Sequence, residues 1–239
     1  MKISWCLAMV VERDLLISLL KLTKNGSVLI ETVNKDARAS SDIVIKLLEN
    51  LQNQGLVYLK DGFVEANRGS RLRIAVKAAS LGADIERVSA FFSWQEFEEI
   101  AALALERNGY AVVKNVRFKH VERRWEIDVV GCRKPIVLCV DCKHWRRGLT
   151  PSALRRIVEA QVERTRALAD TLPATALKIE CTRWKKAKFV PMILSLIPSS
   201  FKFYNNVPVV PILQLQDFLM QLPAQVEELT YFVKDFSHL

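Results

Sequence analysis

The sequence predicts an α/β protein, α+β overall, in which a mostly helical first part precedes a mixed sheet flanked by helices. Residues 11–55 hold three helical stretches, and two short strand-like runs follow around Asp61-Gly62. From Ser93 onward, a capped helix precedes three strand-like runs, then a second helix and two further runs. That order implies strands of both directions in one sheet, covered by helices.

The charge of the chain is concentrated in one segment. The whole sequence of 239 residues is 50% hydrophobic and 26% charged, which is typical of a globular protein, and its formal net charge is +9. Residues 114–188 contain 19 Lys and Arg against 8 Asp and Glu, a net of +11. A basic surface confined to one segment favours a polyanion as partner.

The first 66 residues resemble a winged helix-turn-helix domain. An amphipathic helix ends at Gly26, a second covers residues 28–36, and a third follows Ser40 or Ser41 with an inner stripe of apolar residues. Asp61-Gly62 then predicts a two-residue hairpin turn. Such a domain either reads DNA or binds protein, and the sequence leaves both roles open.

A DNA-reading role would place the third helix in the major groove. Its exposed polar residues would be Asp42, Lys46, Glu49, Asn50 and Asn53, of which we take Lys46 as a DNA contact. A helical connector, residues 67–92, follows without a Ser-, Gly- or Pro-rich linker, and its basic start includes Arg71, a second candidate DNA contact. The predicted domains are therefore 1–66, 67–92 and 93–239.

The second part begins with a capping box, Ser93 with Glu96, on a helix that ends at Gly109. The three strand-like runs are 111–119, 124–132 and 135–143, and a helix capped by Thr150 covers residues 150–170. Further elements are predicted as strands over 187–197 and 207–214 and as a helix over 215–222.

Charged residues interrupt two of these apolar strands. Alternate strand residues share a face, so Glu126 lies with Asp128 and Asp141 lies with Lys143, while Trp125, Ile127 and Val129 face away from Asp128. A short hairpin can bring both aspartates together, and two adjacent carboxylates need a cation. Oxygen ligands alone favour a hard ion, Mg²⁺ or Mn²⁺. The alternative is an ordinary surface hairpin with an Asp141–Lys143 salt bridge.

The pattern D-(x)₁₂-D-x-K after a Glu-bearing helix resembles the PD-(D/E)XK nuclease superfamily. Within it, "EFEEIAALALERNGYAVVKN", "EIDVV" and "CVDCKHW" are similar to Mrr-like restriction endonucleases and archaeal Holliday-junction resolvases, over roughly residues 93–215. The resemblance implies a restriction-endonuclease-like fold. The proline of the superfamily's motif is replaced by Ile127, and Asp141 stands where Glu is commoner.

The resemblance also implies roles for single residues. Asp128 and Asp141 would bind the metal together with the backbone carbonyl of Cys142, and Lys143 would orient or polarise the attacking water. Glu98 would hold a metal-bound water or lie just behind the metal ligands. Glu126 departs from the family pattern as an extra acid on the same face, and would be a third ligand or the solvated end of its strand. Gln161, the polar member of a buried helical stripe, would lie near the metal or be a core glutamine satisfied by backbone groups.

Basic side chains after the second aspartate are candidates for phosphate contacts. These candidates are Arg146, Arg147, Arg155 and Arg156. His144 and Trp145 extend the motif and would contact substrate or pack beside the site.

We therefore expect a Mg²⁺-dependent DNA endonuclease acting on foreign or modified duplex, or on branched repair DNA. The alternative is a non-catalytic DNA-binding or regulatory protein that uses the nuclease fold as a scaffold. Neither G-x-x-x-x-G-K-[ST] nor G-x-S-x-G occurs, so we expect no nucleotide cofactor and no serine hydrolase. A resolvase would need a homodimer, for which residues 189–197 and 224–236 are candidate surfaces, although core packing is their other use.

The cysteines and the apolar runs bear on the cellular location of the protein and on whether it crosses a membrane. Five cysteines scattered in apolar runs fit reduced thiols in the cytoplasm. Cys139 and Cys142 lie three positions apart in one strand, so their side chains should point to opposite faces and not share a zinc. The longest uncharged runs are too short and too rich in proline to span a membrane, and the apolar start is interpreted as folded structure.

Overall fold

The computed structural model describes residues 2–143, 150–173, 177–196 and 201–237, with side chains throughout except at 2–8 and 85–86. Contacts divide the chain into two compact units, Met1–Glu96 and Phe97–Leu239. The finer divisions after residues 66 and 92 remain predictions. None of the helices in the described ranges combines the length and the apolar character needed to span a bilayer.

The first unit contains five helices and a small sheet, and a sixth helix begins at its end. The elements are α1 (Lys2–Leu22), β1 (Val28–Leu29), α2 (Ile30–Ala37), α3 (Ser41–Asn53), β2 (Tyr58–Lys60), β3 (Phe63–Glu65), α4 (Arg68–Ser80), α5 (Ile85–Ser89) and α6 (Trp94–Arg107). The strands form an antiparallel sheet in the order β1-β3-β2. Asp61 and Gly62 both have positive φ, 50° and 79°, as a type I′ turn requires.

Helix α3 packs through the stripe that the sequence predicts. Val44, Leu48 and Leu51 are buried, whereas the polar residues assigned to a groove-facing side are exposed. Lys46 is among the exposed residues. The winged-helix assignment and its role in binding DNA or protein stay predictions.

Arg71 is a correction to the sequence-based prediction, because it cannot contact DNA. Its side chain is 2% exposed and bonds to Glu96 at 2.5 Å. It also donates to the carbonyls of Leu20 and Phe91 and to the hydroxyl of Thr23, at 2.8–2.9 Å. A guanidinium buried with this many acceptors has a structural role within the first unit.

The second unit is built on one large sheet. After α6 its elements are β4 (Ala111–His120), β5 (Arg123–Arg133), β6 (Ile136–Lys143), α7 (Pro151–Thr171), β7 (Lys186–Ser195), β8 (Phe203–Tyr204), β9 (Val207–Pro211), α8 (Leu215–Gln225) and β10 (Phe232–Asp235). The predicted capping box of α6 is confirmed, because Ser93 N donates to Glu96 and Glu96 N donates to Ser93 Oγ. Thr150 caps α7 by accepting from Ala153 N.

The seven strands run β4-β5-β6-β7-β9-β8, with β10 paired to β7. Strands β4, β5 and β6 form an antiparallel meander, whereas β6–β7 and β7–β9 are parallel. A parallel connection needs a crossover, which α7 supplies between β6 and β7. The predicted mixed sheet flanked by helices is confirmed.

Helices cover both faces of the sheet. On one face, Phe97 of α6 and Leu219 of α8 pack against Val129 and Val140. On the other face, Leu168 of α7 packs in a cluster with Val130, Cys139 and Phe189. Burial on both faces explains why β6 is apolar in sequence almost throughout its length.

The two segments considered as dimer surfaces are used within the unit. Strand β7 is buried from Phe189 through Ser195. Residues 232–235 form β10, which the sequence did not predict as a strand, and pair antiparallel with β7 from Phe232↔Phe189 to Asp235↔Lys186. Residues 189–196 are therefore used for core packing, which was the alternative to a dimer surface.

Candidate active site

Asp128 lies where β5 and β6 stop pairing. The last pair in this ladder is Val129↔Val140, and beyond it Asp128 Oδ2 accepts a hydrogen bond of 2.7 Å from the backbone N–H of Cys142. The side chain is 8% exposed. Burial raises the pKa of Asp128, the Cys142 N–H opposes that shift, and the neighbouring Asp141 charge adds to it.

The backbone of β5 changes its alternation at Asp128. In a regular strand Ile127 and Val129 would share a face, but Ile127 packs in the α7-side cluster and Val129 in the α6-side cluster. Opposite Asp128 on β4, Asn115 has a positive φ of 52°, and neither residue forms a ladder pair. The expectation that Trp125, Ile127 and Val129 share one face is therefore wrong for Val129. Because of this local irregularity, the residues before and after Asp128 pack on opposite faces of the sheet.

Asp141 on β6 is buried, at 2% exposure, between two cations. Lys143 Nζ lies 2.9 Å from Oδ1 and 2.8 Å from Oδ2, and Arg164 Nη1 lies 2.6 Å from Oδ1. Both cations are about one quarter exposed, at 26% and 28%. The Asp141–Lys143 salt bridge is present, but a buried carboxylate held from two elements is not an ordinary surface pair.

Gln161 on α7 connects this carboxylate to the sheet. Its side chain is fully buried, and its Nε2 donates to the carbonyl of Cys139 at 2.7 Å. Its Oε1 lies 3.4 Å from Arg164 Nη1, the same nitrogen that contacts Asp141. Gln161 is thus satisfied by a backbone group, as one of the two interpretations expects, and it also positions Arg164.

Sequence analysis missed Arg164. Three positions after Gln161 on a helix, Arg164 lies on the same face about one turn further on, so the spacing was a usable signal. Among many arginines in a basic segment, however, nothing in the sequence shows which one turns toward the sheet.

Glu98 on α6 belongs to the same charge cluster. It is 8% exposed, and burial, followed by the charges of Asp128 and then Glu126, raises its pKa to about 7. The pKa of the Cys142 thiol is also raised, by burial and by Asp128, Glu98 and Asp141. These effects indicate that Glu98, Asp128 and Asp141 surround the end of β6.

Glu126 is half exposed and pairs with Arg117 at 3.1 Å. This contact is what the solvated end of a strand would show, yet Glu126 also raises the pKa of Glu98. Its assignment as a third metal ligand stays a prediction.

The residues present fit a hard divalent cation. Oδ2 of Asp141 is buried and accepts no hydrogen bond from the described residues, although Lys143 Nζ lies nearby. Carboxylate and carbonyl oxygens suit Mg²⁺ or Mn²⁺, which keeps several waters and needs few protein ligands. In the described ranges, no group of three or more His, Cys, Asp or Glu residues is arranged as a ready metal cage.

Comparison with known proteins identifies the family. Residues 89–172 match the Mrr catalytic domain, described as a restriction endonuclease. An uncharacterized protein of Archaeoglobus fulgidus is 33% identical over 136 residues, which cover 56% of this chain and 95% of that relative. Residues 89–172 therefore form an Mrr-like restriction endonuclease domain.

Two solved structures resemble parts of this chain. The protein of unknown function AF1548 is 20% identical, with a TM-score of 0.28, and the match covers 41% of this chain and 44% of that one. Protein VC1899 from Vibrio cholerae is 13% identical, with a TM-score of 0.39, over 93% of this chain and 53% of that one. The matches span about half the length of each solved chain. The mixed seven-stranded sheet is consistent with the restriction-endonuclease-like fold.

The candidate phosphate contacts of the Mrr-like domain are only partly described. Arg146 and Arg147, with His144 and Trp145, lie outside the described residues. Arg155 and Arg156 are exposed on α7, where Arg155 pairs with Glu159 at 2.8 Å.

The C-x-x-C of the Mrr-like domain is split between the two faces of the sheet. Cys139 lies in the α7-side cluster and Cys142 in the α6-side cluster, as strand alternation predicts. Cys132, Cys139, Cys142 and Cys181 are all free and buried.

Proposed function

We propose that the chain is a divalent-metal-dependent DNA endonuclease that hydrolyses phosphodiester bonds. The observation that supports this most is the meeting of Asp128, Asp141 and Lys143 where the β5–β6 ladder ends. A stable sheet has no need for two carboxylates there, because burying them opposes folding unless each is compensated. The family match to a restriction endonuclease supports the same reaction.

Asp128 and Asp141 would hold Mg²⁺ or Mn²⁺, with the backbone carbonyl of Cys142 as a further ligand. A bound ion of this kind supplies Lewis acidity and makes water more acidic. Asp128 is already held in place by the Cys142 N–H, so it needs little reordering to serve as a ligand.

Lys143 has the position of a charge-stabilising residue. Its Nζ contacts both oxygens of Asp141, yet the side chain is one quarter exposed and can also donate to a phosphate at the surface. A fixed ammonium beside the reacting phosphate stabilises negative charge that develops in the transition state. Lys143 would also orient the attacking water.

Glu98 would act on the attacking water, either by exchanging a proton with it or by holding it in place. Since its pKa is raised to about 7, a large fraction of the side chain is protonated at neutral pH. A carboxyl poised near the working pH can accept and return a proton, or hold a water in place. Gln161 would position Arg164 and, through it, Asp141.

The substrate is proposed to be foreign or modified duplex DNA, or branched repair DNA. The winged-helix part would help to place or select it, with Lys46 as one contact, while Arg146, Arg147, Arg155 and Arg156 would contact phosphates beside the site. Cleavage of a branched substrate on two strands would need a homodimer. The free cysteines agree with a cytoplasmic location, and the proposed reaction uses no nucleotide cofactor.

Incubation with DNA tests the proposal. Purified protein is mixed with supercoiled plasmid, linear duplex, flapped and four-way DNA, in Mg²⁺, Mn²⁺ or EDTA. Asp128→Asn keeps an oxygen for the Cys142 N–H but removes the charge, and Lys143→Met keeps the apolar stem. Each should lower the cleavage rate by about 10²-fold or more.

Arg107→Ala, which alters an exposed cation at the end of α6, is the matched control and should cut like the wild type. Cleavage that persists in EDTA, or equally in both site variants, would contradict the assigned site.

One observation favours a second function, a non-catalytic DNA-binding or regulatory protein. Asp141 is already compensated by Lys143 and Arg164, so its charge does not by itself require a metal. Binding to these DNAs without cleavage of any of them, in either metal, would favour this alternative.

A further inference from the structure

The part of the β4–β5 hairpin next to its turn is a ribbon of two strands only, residues 116–120 and 123–127. Strand β5 pairs with β6 only from Val129 to Arg133, so residues 123–127 pair with β4 alone. One face of this ribbon is covered, because Val116, Phe118, Trp125 and Ile127 belong to the α7-side cluster. The other face is exposed to solvent.

Charged side chains make up this exposed face, here called the ribbon face. It is defined by Arg117, Lys119, Arg124 and Glu126, all of which are exposed. The register places Arg117 opposite Glu126, which form a salt bridge, and places Lys119 opposite Arg124. Like charges directly opposite each other destabilise a sheet, so the Lys119–Arg124 pair opposes folding unless an anion lies between them.

Arg124 lacks an acidic partner in the part of the chain that the structure describes. Lys119 reaches Glu122 in the turn at 2.8 Å and Arg117 pairs with Glu126, so the charge of Arg124 is the one on the ribbon face that no described carboxylate offsets. These residues surround a shallow groove of about 530 Å³ lined by residues 117–119 and 124–126. The groove is open and carries cations at its outer end.

The ribbon face leads to the candidate active site. Arg124 and Glu126 occur at alternate positions of β5 and share the ribbon face, and Asp128 follows two residues later, where the alternation of the strand changes. At about 3.3 Å per residue, the Cα of Arg124 lies roughly 13 Å from that of Asp128. A DNA strand rises about 3.4 Å per nucleotide, so this distance corresponds to about four nucleotides.

We propose that the ribbon face binds the phosphate backbone of duplex DNA and guides it toward Asp128, an inference that rests on the proposed function. A major groove accepts a two-stranded ribbon, and phosphates match a face that carries three cations and one carboxylate, with Arg124 unpaired among the described residues. A protein partner would need aromatic or apolar anchors at the centre of the contact. The two aromatic residues that line the groove, Phe118 and Trp125, pack in the α7-side cluster on the covered face, and the ribbon face itself presents charged side chains.

Salt-dependent binding tests this proposal. Fluorescence anisotropy with a short duplex, in EDTA to prevent cleavage, is measured between about 50 and 200 mM salt. Lys119→Ala/Arg124→Ala should reduce the steepness of log K against log salt by about 1.8, the value for two lost phosphate contacts. Arg107→Ala/Lys202→Ala removes the same charge from exposed sites at the other end of the hairpin and beside β8, and should keep the wild-type slope.

Arg124→Glu separates binding from folding. It places a carboxylate opposite Lys119, an arrangement that stabilises a sheet, so the melting temperature should stay the same or rise. Affinity for the duplex should nevertheless fall by about tenfold. An unchanged affinity, an equal change of slope in both double variants, or no binding of duplex by the wild type would overturn the proposal.

Cleavage in Mg²⁺ distinguishes this proposal from the proposed function. If the wild type cuts DNA while Lys119→Ala/Arg124→Ala keeps the wild-type slope, the ribbon assignment fails and the nuclease stands. If the wild type binds through the ribbon but cuts no substrate, the nuclease fails and the ribbon stands. If both hold, Lys119→Ala/Arg124→Ala should raise KM and leave kcat unchanged.

Discussion

Arg164 reaches the buried carboxylate of Asp141 from helix α7, and Lys143 reaches it from the same strand. Two cations therefore already contact the carboxylate that is proposed as a metal ligand. A divalent ion would compete with Arg164 for Asp141 because like charges repel in a partly buried site. Arg164 therefore both stabilises the metal-free protein and opposes metal binding.

Substitution Arg164→Gln tests this balance. It should lower the stability of the metal-free protein by about 1–3 kcal/mol, since the buried carboxylate loses one partner. It should also tighten Mn²⁺ binding by about tenfold, because a competing positive charge is gone. The measurement is the rise in melting temperature with Mn²⁺, which should be larger in the variant.

Arg156→Gln, an exposed arginine on the same helix, provides the control and should respond to Mn²⁺ like the wild type. An equal Mn²⁺ response in Arg164→Gln would show that Arg164 does not compete with the ion.

Glu98 makes stability depend on pH. Its pKa in the folded protein, about 7, lies above its usual value of 4.5, so the folded state binds the proton more tightly than the unfolded state. The free energy of unfolding should then decrease as pH rises from about 4.5 to 7, with a slope of at most about 1.4 kcal/mol per pH unit. Urea unfolding in EDTA across this range measures it.

Glu98→Gln should remove this decrease, because the neutral amide does not titrate. Glu106→Gln, on an exposed position of the same helix, should leave it in place. A decrease of the same size in Glu98→Gln would mean that another group causes it.

At the scale of elements, two of the hairpin turns differ in how well their residues suit a left-handed backbone. The β2–β3 turn uses Asp61-Gly62, whereas the β4–β5 turn places Val121 and Glu122 at positive φ, 45° and 59°. Left-handed backbone is unfavourable for a β-branched residue, and Val121 is 83% exposed and gains little from packing. The second turn is therefore strained without compensation from burial.

Relief of this strain should stabilise the protein. Val121→Asn introduces a residue that tolerates the left-handed conformation and should raise the free energy of unfolding by about 1 kcal/mol. Val121→Ile, which keeps the branched side chain, should not. A lower urea midpoint for Val121→Asn would contradict this explanation of the turn.

Sequence patterns predicted most elements because caps, turn residues and alternation are local. The capping box at Ser93 and the turn at Asp61-Gly62 needed no tertiary information. Strand β10 was missed because its four residues are too short for a clear pattern, and β7 is what holds them in a strand. The altered alternation at Asp128 occurs opposite Asn115, a position on the neighbouring strand that the sequence of β5 alone does not indicate.

The site was predictable only in part for the same reason. Asp128, Asp141 and Lys143 stood out as charges within apolar strands. Arg164 and Arg71 did not, because an arginine in a basic stretch looks the same whether it faces solvent or a buried carboxylate. Burial at such positions is decided by packing between distant segments.

At the scale of the whole molecule, the basic segment and the candidate active site lie in the same unit. The basic segment 114–188, the β4–β6 meander and α7 all lie within Phe97–Leu239, together with Glu98. This unit also contains most of the region matched to the restriction endonuclease family, residues 89–172. The candidate site and its proposed phosphate contacts thus come mainly from one continuous stretch of chain.

One edge of β7 is shared by two late segments, β9 along its second half and β10 along its first. During synthesis, β7 therefore emerges about 40 residues before the edge can be completed. Since synthesis adds roughly 5–20 residues per second, the backbone groups on this edge of the apolar strand β7 stay unpaired for several seconds. In that interval the nascent chain depends on its own collapse, or on a chaperone, to avoid pairing with another strand.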